Sequence, residues 1–400
     1  MTTRLDKQES ALSDDCCSTA TDNQNLDSTH QPPDNSAAND ANQPLEKSLA
    51  VRPLETPRAL KHRLPLADQL ALQVDKHRQQ ISDLLSDTPN ESQKLLVITG
   101  PCSLHDEKAA LDYGRRLAAL NEQLSDRLLI VMRAYVEKPR TTTGWKGLAY
   151  DPERNDKGDI QLGLTRSRAL LLNLVEMGLP LAIEALNPMT MLYLDDLISW
   201  TAIGARTSES QIHREMISHL GMPVGIKNGT DGTVQNAINA MISASRSHHC
   251  LGMDIDGQIA MLDTPGNPDT HIVLRGGRGI TNYDEVSIRA TLEQLEKAAQ
   301  DNQLHPKVIV DCSHDNSQKQ HERQIPIAMD VVKLRQGING HKQISGIAGV
   351  MLESFIEPGN QGMKGPENDG NLTYGLSITD ACISWNQTET LLRELHELMG

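Results

Sequence analysis

The sequence predicts an α/β protein whose main part is a closed (β/α)8 TIM barrel, with an N-terminal helical extension and a β-hairpin inserted before the sixth strand. Three observations predict it. From Lys94 onward short runs rich in Val, Ile and Leu alternate with stretches of helical period, the pattern of a parallel sheet buried on both faces. The runs number eight, and eight units over about 300 residues favour a closed barrel over an open doubly wound sheet. Most runs end on a charged or small polar residue, and strand C-termini are where barrels build their sites.

Residues 1–45 are Ser, Thr, Asn, Asp, Gln and Pro with Arg4 and Lys7 set against eight carboxylates, and no apolar periodicity. They read as a disordered acidic tail, because they cannot bury enough apolar surface to fold. Residues 46–91 read as an extension containing one helix, with Leu66, Leu70, Val74, Ile81, Leu84 and Leu85 on its apolar side, packed outside the main domain. The barrel takes residues 92–400. Its strands are expected at Leu95–Thr99, Leu128–Met132, Leu181–Glu184, Ala202–Gly204, Pro223–Ile226, His271–Leu274, Val308–Val310 and Ile347–Leu352. Amphipathic helices are expected at Lys108–Leu124, Ser167–Glu176, Gln235–Ala244, Glu285–Ala298 and Thr388–Leu398. Two extended pieces around Asp254-Ile255-Asp256-Gly257 interrupt the rhythm and predict the hairpin.

Composition narrows the function. A formal charge of -15 argues against nucleic-acid and anionic-membrane partners, both of which need excess Lys and Arg. No apolar run approaches a membrane span and the N-terminus lacks the regions of a signal peptide, so a cytoplasmic location is expected. Six cysteines without framework spacing read as reduced thiols, some of them potential ligands. An anionic substrate would have to meet a local concentration of positive charge.

Such a concentration is present. The stretch Glu137 to Gly147 carries Lys138, Arg140 and Lys146 with consecutive threonines, a proline and two glycines, the makings of a loop that holds an oxyanion. In order, the strands end on Gly100-Pro101-Cys102, Arg133, Glu184, Arg206, Lys227, Arg275, Asp311 with His314, and Glu353. Four strands thus present a cation at one mouth, enough with Lys138 and Arg140 to hold two anionic groups, most simply on a phosphorylated small molecule. Lys227 reads either as part of this clamp or as an imine-forming lysine. Cys102, His314, Glu353 and Asp380 form a second set whose thiol, imidazole and carboxylates suit Mn, Fe, Co or Zn. Taken singly, they also read as a buried thiol, a packed histidine, an arginine partner and a helix N-cap.

These residues lie in motifs that resemble the microbial type I 3-deoxy-D-arabino-heptulosonate 7-phosphate synthases. The motifs are Gly100-Pro101-Cys102-Ser103, Glu137 to Gly147, Ala202 to Thr207, Pro223 to Gly232, Leu274-Arg275-Gly276-Gly277, Asp311-Cys312-Ser313-His314 and Ser377 to Cys382, running in the family's order from about Thr56 to the C-terminus. The resemblance implies a metal-dependent, aldol-like condensation of phosphoenolpyruvate with erythrose 4-phosphate that releases phosphate. It implies Arg133, Lys138, Arg206, Lys227 and Arg275, with the backbone of Gly204 and Ala205 and with Glu184 alongside, as the phosphoenolpyruvate site. It likewise implies Arg140 and Thr141 as the sugar-phosphate site, and Cys102, His314, Glu353 and Asp380 as the divalent-metal ligands. Lys138 is the candidate proton carrier, or a pure clamp.

Feedback by an aromatic amino acid is also implied, at Pro188, Leu192, Gly221, Cys250 and Gly252. Gly221 stands where phenylalanine-regulated members tend to carry serine, and the stretches Asn173 to Leu186 and Ile378 to Leu392 resemble the tyrosine-sensitive type, so tyrosine is expected first and tryptophan second. A homotetramer or dimer is expected. Thr143, Ile226 and Asp315 depart from the family pattern; Asp315 is expected either to add charge beside the metal ligands or to face solvent. The same resemblance leaves room for a synthase using another phosphosugar, which the Lys-Pro-Arg-Thr-Thr loop disfavours, and for a catalytically silent effector-binding barrel, which the intact ligand set disfavours.

Overall fold

Runs of β-branched and aliphatic residues must bury both faces of a parallel sheet, and eight such strands can do so by closing on themselves. In the computed structural model, which describes residues 51–88, 93–140, 142–302, 304–363 and 371–400, they do so. The chain enters through α1 (Pro57–Arg63) and α2 (Asp68–Leu85), then β1 (Leu95–Gly100), α3 (Glu107–Leu124), β2 (Leu128–Arg133), α4 (Ile160–Glu176) and β3 (Leu181–Glu184). It continues through α5 (Pro188–Leu194), β4 (Trp200–Ile203), α6 (Gln211–Ile217), β5 (Val224–Lys227) and α7 (Gln235–Ala244). The hairpin strands β6 (His248–Met253) and β7 (Ile259–Thr264) follow, then β8 (Thr270–Leu274), α8 (Glu285–Ala299), β9 (Val308–Asp311), α9 (Gln324–Gln336), β10 (Ile347–Glu353) and α10 (Trp385–Leu398). The barrel order is β1-β10-β9-β8-β5-β4-β3-β2, with every neighbouring pair parallel. The expected tail over 1–45 lies outside the described residues. No described helix is long and apolar enough to cross a membrane.

Alternation along the strands separates two apolar layers. Leu95 and Val97 of β1 join the layer beneath the helices, while Leu96, Ile98, Val131, Ala182, Trp200, Val273, Ile309 and Met351 fill the barrel interior. The extension does not pack outside the main domain as its sequence suggested. Ile81, Leu84 and Leu85 on the last turns of α2 belong to the interior layer and close the barrel at the N-terminal ends of its strands. Polar contacts fix this plug, with Arg78 donating to the carbonyls of Asp195 and Ile198, Ser82 Oγ donating to Asp269 and Lys307 reaching Asp87.

The hairpin forms where expected, as an antiparallel pair from His248↔Thr264 to Met253↔Ile259, before the sixth barrel strand. Its turn docks on α1 through Arg58 N to Ile255 O and the Arg58–Asp256 ion pair. Its outward face exposes Leu251, Ile259 and Met261. α5, α6 and α9 were not legible as amphipathic runs. The first two have seven residues each, and α9 is buried at Gln324, Ile327, Ala328, Val331, Val332, Leu334 and Arg335, so it has no single polar face.

Candidate active site

The register places the chemistry. Gly100 lies beside Glu353 and Thr99 beside Met132, so Cys102, Glu353 and Arg133 reach the C-terminal mouth as neighbours. Arg133 Nη2 lies 3.1 Å from Glu353 Oε1, and both side chains are fully buried. The guanidinium also sits 4.1 Å over the Tyr135 ring and 3.0 Å from Met351 Sδ. Glu353 Oε2 accepts from Ser313 Oγ at 2.8 Å, and Gln324 binds both the N–H and the carbonyl of Glu353. Ser313, Gln324 and Tyr135 were not singled out from sequence, since uncharged residues that position a carboxylate carry no motif of their own.

Beside this pair, Cys102 Sγ lies 3.3 Å from Asp380 Oδ2, accepts from the Asp380 N–H at 3.3 Å, and lies 3.1 Å from Lys138 Nζ. Ligand atoms of Cys102, Glu353 and Asp380 all lie within 4.8 Å of one another. A thiol and two carboxylates this close suit a borderline divalent ion, which would take the place of the thiol proton. Burial, then Glu353 and Asp380, push the Cys102 thiol up to about 12, so its proton is firmly held. Burial also works to raise the Asp380 carboxyl, yet Lys138, His314 and the Cys102 thiol hold it below its usual value. His314 stands outside the three-residue group. Its Nδ1 is 2.8 Å from Asp311 Oδ2, at the edge of the cluster.

Asp311 anchors the next strands, with Lys227 Nζ 3.8 Å from the same oxygen. Burial opposes its charge, but His314, Lys227 and Arg133 together hold its carboxyl well below the carboxylate range. Arg275 is engaged by Asp315, Nη1 to Oδ2 at 2.8 Å, so Asp315 neither joins the ligand group nor points free into solvent. Asn228 Oδ1 accepts from Arg275 N at 2.8 Å and orients that turn, another contact unmarked in the sequence.

Arg133, Lys138 and Lys227 are buried, Arg275 is half-buried, and Arg140 and Arg206 are exposed at the rim. Gly204 is buried on the turn after β4, where a side chain would stand 2.5 Å from Glu184 Oε1; glycine there lets the carboxylate lie under the turn, with Ala205 next to it. The loop 137–147 is closed by Lys138 N to Lys146 O at 2.9 Å and by Arg140 Nε to Trp145 O at 2.7 Å, while buried Trp145 donates to Asp151 O. Gly147, at φ +110, lets this closure pass against the Val136 carbonyl. Thr141 lies outside the described residues. Glu137, unremarked from sequence, is buried behind the loop, and burial, reinforced by Glu184, pushes its carboxyl up to about 7 despite Thr190 and Tyr150.

A separate cavity of about 460 Å³ opens between α5, α6 and the hairpin. Pro188, Leu192, Cys250 and Gly252 line it together. Gly221 is not among its lining residues, and nothing lies within 4 Å of where its side chain would stand.

A closed parallel barrel with buried cations, a thiol and paired carboxylates at its C-terminal mouth defines an enzyme that handles small anionic substrates. The chain belongs to the DAHP synthetase I family, whose model matches residues 88–393. It is 49% identical over 344 residues, 86% of this chain and 92% of the relative, to the Tyr-sensitive phospho-2-dehydro-3-deoxyheptonate aldolase of Escherichia coli K12. It is 44% identical over 346 residues, 86% of this chain and 91% of the relative, to the phenylalanine-inhibited enzyme of Saccharomyces cerevisiae. The solved phospho-2-dehydro-3-deoxyheptonate aldolase of Francisella tularensis superposes with a TM-score of 0.81 at 38% identity, covering 88% of this chain and 98% of that one.

Proposed function

We propose that this chain condenses phosphoenolpyruvate with erythrose 4-phosphate and water to a 3-deoxyheptulosonate 7-phosphate, releasing phosphate as the first step of the shikimate pathway in the cytoplasm. The observation that carries this reading is the meeting of buried Arg133, Lys138 and Lys227 with the Cys102, Glu353 and Asp380 group at one mouth. Arg133 and Lys227, completed by Arg206, Arg275 and the backbone at Gly204 and Ala205, hold the phosphate and carboxylate of the enol. Arg140 and Thr141 on the outer loop take the sugar phosphate, so the loop sets the distance between C3 of the enol and the aldehyde.

Cys102, Glu353 and Asp380, with His314 at their edge, would hold Mn, Fe, Co or Zn, and such an ion polarises an aldehyde oxygen. Lys138 stands between the two anions and gives a proton to the aldehyde oxygen as C3 bonds to the aldehyde carbon. Glu184, whose charge reaches Lys138, takes a proton from the water that adds at C2, and phosphate then leaves. Phosphate release from the two substrates tests the reading, with and without chelator; no turnover after Mn is restored overturns it.

The cavity holding Pro188, Leu192, Cys250 and Gly252 is proposed as the feedback site, with tyrosine as its ligand. The apolar outward face of the hairpin supports a homo-oligomer, dimer or tetramer.

A further inference from the structure

Tyr135 lies two residues beyond β2, where Ala134 N donates to Ala182 O at 2.7 Å and Leu104 N to Tyr135 O at 2.9 Å, so the strand's alternation continues past Arg133. Met132, Ala134 and Val136 belong to the layer beneath the helices, and Val131 and Tyr135 to the barrel interior. Tyr135 is 1% exposed, and its ring lies under the Arg133 guanidinium. That stack needs only a ring, which phenylalanine would supply as well. The hydroxyl has no hydrogen-bond partner among the described residues. Yet the charges it feels are those of Arg133, Glu184, Asp311 and Lys138, brought to one place by β2, β3, β9 and the loop after β2. A buried hydroxyl without a partner costs free energy, and in so polar a recess it is met by water or by a ligand. Burial, reinforced by Glu184 and Asp311, raises the phenol above its ordinary value against the pull of Arg133, so the hydroxyl keeps its hydrogen and can donate it.

Resting on the condensation proposed for this mouth, we infer that Tyr135 positions the water that adds at C2 of the enol, its hydroxyl donating to one lone pair of that water. Glu184, whose charge reaches both Tyr135 and Lys138, accepts one of the water's hydrogens. The remaining lone pair is thereby turned toward C2. As C3 bonds to the aldehyde carbon, the π pair of the enol moves into that bond and leaves C2 electron-poor. The water oxygen bonds to C2 and its first proton passes to Glu184. The C2–O bond to phosphate then breaks with its electron pair on the phosphate, while the added oxygen passes its second proton to the departing phosphate and becomes the ketone. Tyr135 neither gains nor loses a proton over the cycle.

The test is Tyr135→Phe in the full chain with Mn, a change that keeps the ring under Arg133 and deletes only the hydroxyl. Phosphate release is expected to fall about tenfold or more in kcat, with KM for both substrates and the calorimetric Kd for phosphoenolpyruvate within about twofold of the parent. The urea midpoint of the variant should be no lower than the parent's, since no protein group loses a hydrogen bond. A kcat within about twofold of the parent overturns the assignment. So does a raised KM or Kd for phosphoenolpyruvate with kcat kept, which would place the hydroxyl on the substrate itself. A crystal structure of the parent with phosphoenolpyruvate decides the matter even if the variant fails to fold. A water within hydrogen-bond distance of Tyr135 Oη and next to C2 is expected there, and a hydroxyl without such a water overturns the inference. A parent that releases no phosphate with Mn restored overturns the proposed condensation instead.

Discussion

Arg133 and Glu353 face each other across the barrel mouth, Nη2 to Oε1 at 3.1 Å, with neither side chain open to solvent. Glu353 is at once the arginine's partner and a member of the candidate ligand group. Removing one half leaves a buried charge uncompensated. Arg133→Ala is therefore expected to cost about 3–5 kcal/mol in urea unfolding, as well as turnover. A stability loss below about 1 kcal/mol would mean that the pair contributes little.

If Arg275 holds phosphoenolpyruvate as proposed, its ion pair with Asp315 competes with that substrate. Asp315→Asn should free the guanidinium and lower the KM for phosphoenolpyruvate about two- to fivefold with kcat unchanged, in line with a half-exposed ion pair worth about 1 kcal/mol or less. A raised KM would show that Asp315 holds Arg275 in its working position.

Glu137 gives a pH signature. Its folded pKa, raised by burial to about 7, exceeds the unfolded value, so its contribution is fully present below the unfolded pKa and is lost as pH rises through 7. A shift of this size corresponds to about 3 kcal/mol. Glu137→Gln should flatten the stability profile between about pH 4.5 and 7 and leave the variant more stable than the parent above it. Parallel profiles in chemical unfolding would sink the assignment.

The plug helix should matter to stability before it matters to chemistry. Leu84→Ala on α2 opens a cavity in the barrel interior and is expected to cost about 2–5 kcal/mol in equilibrium unfolding, with KM for both substrates unchanged. Altered KM at full occupancy of the folded state would show that the base of the barrel communicates with its mouth.

The strands were legible because a sheet buried on both faces must be written in continuous apolar runs, and the candidate site was legible because most runs ended on a charged or small polar residue. What escaped the sequence was partnership over distance. Nothing in the local pattern around Asp315 says that it pairs with Arg275, or that Ser313 and Gln324 hold Glu353 from two sides. Likewise, Ile81, Leu84 and Leu85 show the same helical spacing whether they pack on the outside of a barrel or inside its base. His314, grouped with the ligands because it follows a strand end, has a left-handed backbone at φ +50 and places Nδ1 2.8 Å from Asp311 Oδ2, a contact the sequence did not announce.

With α2 packed into the base, the described residues leave the barrel open at its C-terminal mouth. Arg133 and Lys227 lie buried within that entrance and Arg140 at its exposed lip, so a molecule resting on Arg140 would stand over the route to the inner pair. On the proposed reading of the site the enol is expected to arrive before the sugar, and a sugar phosphate that arrives early is expected to inhibit until it leaves.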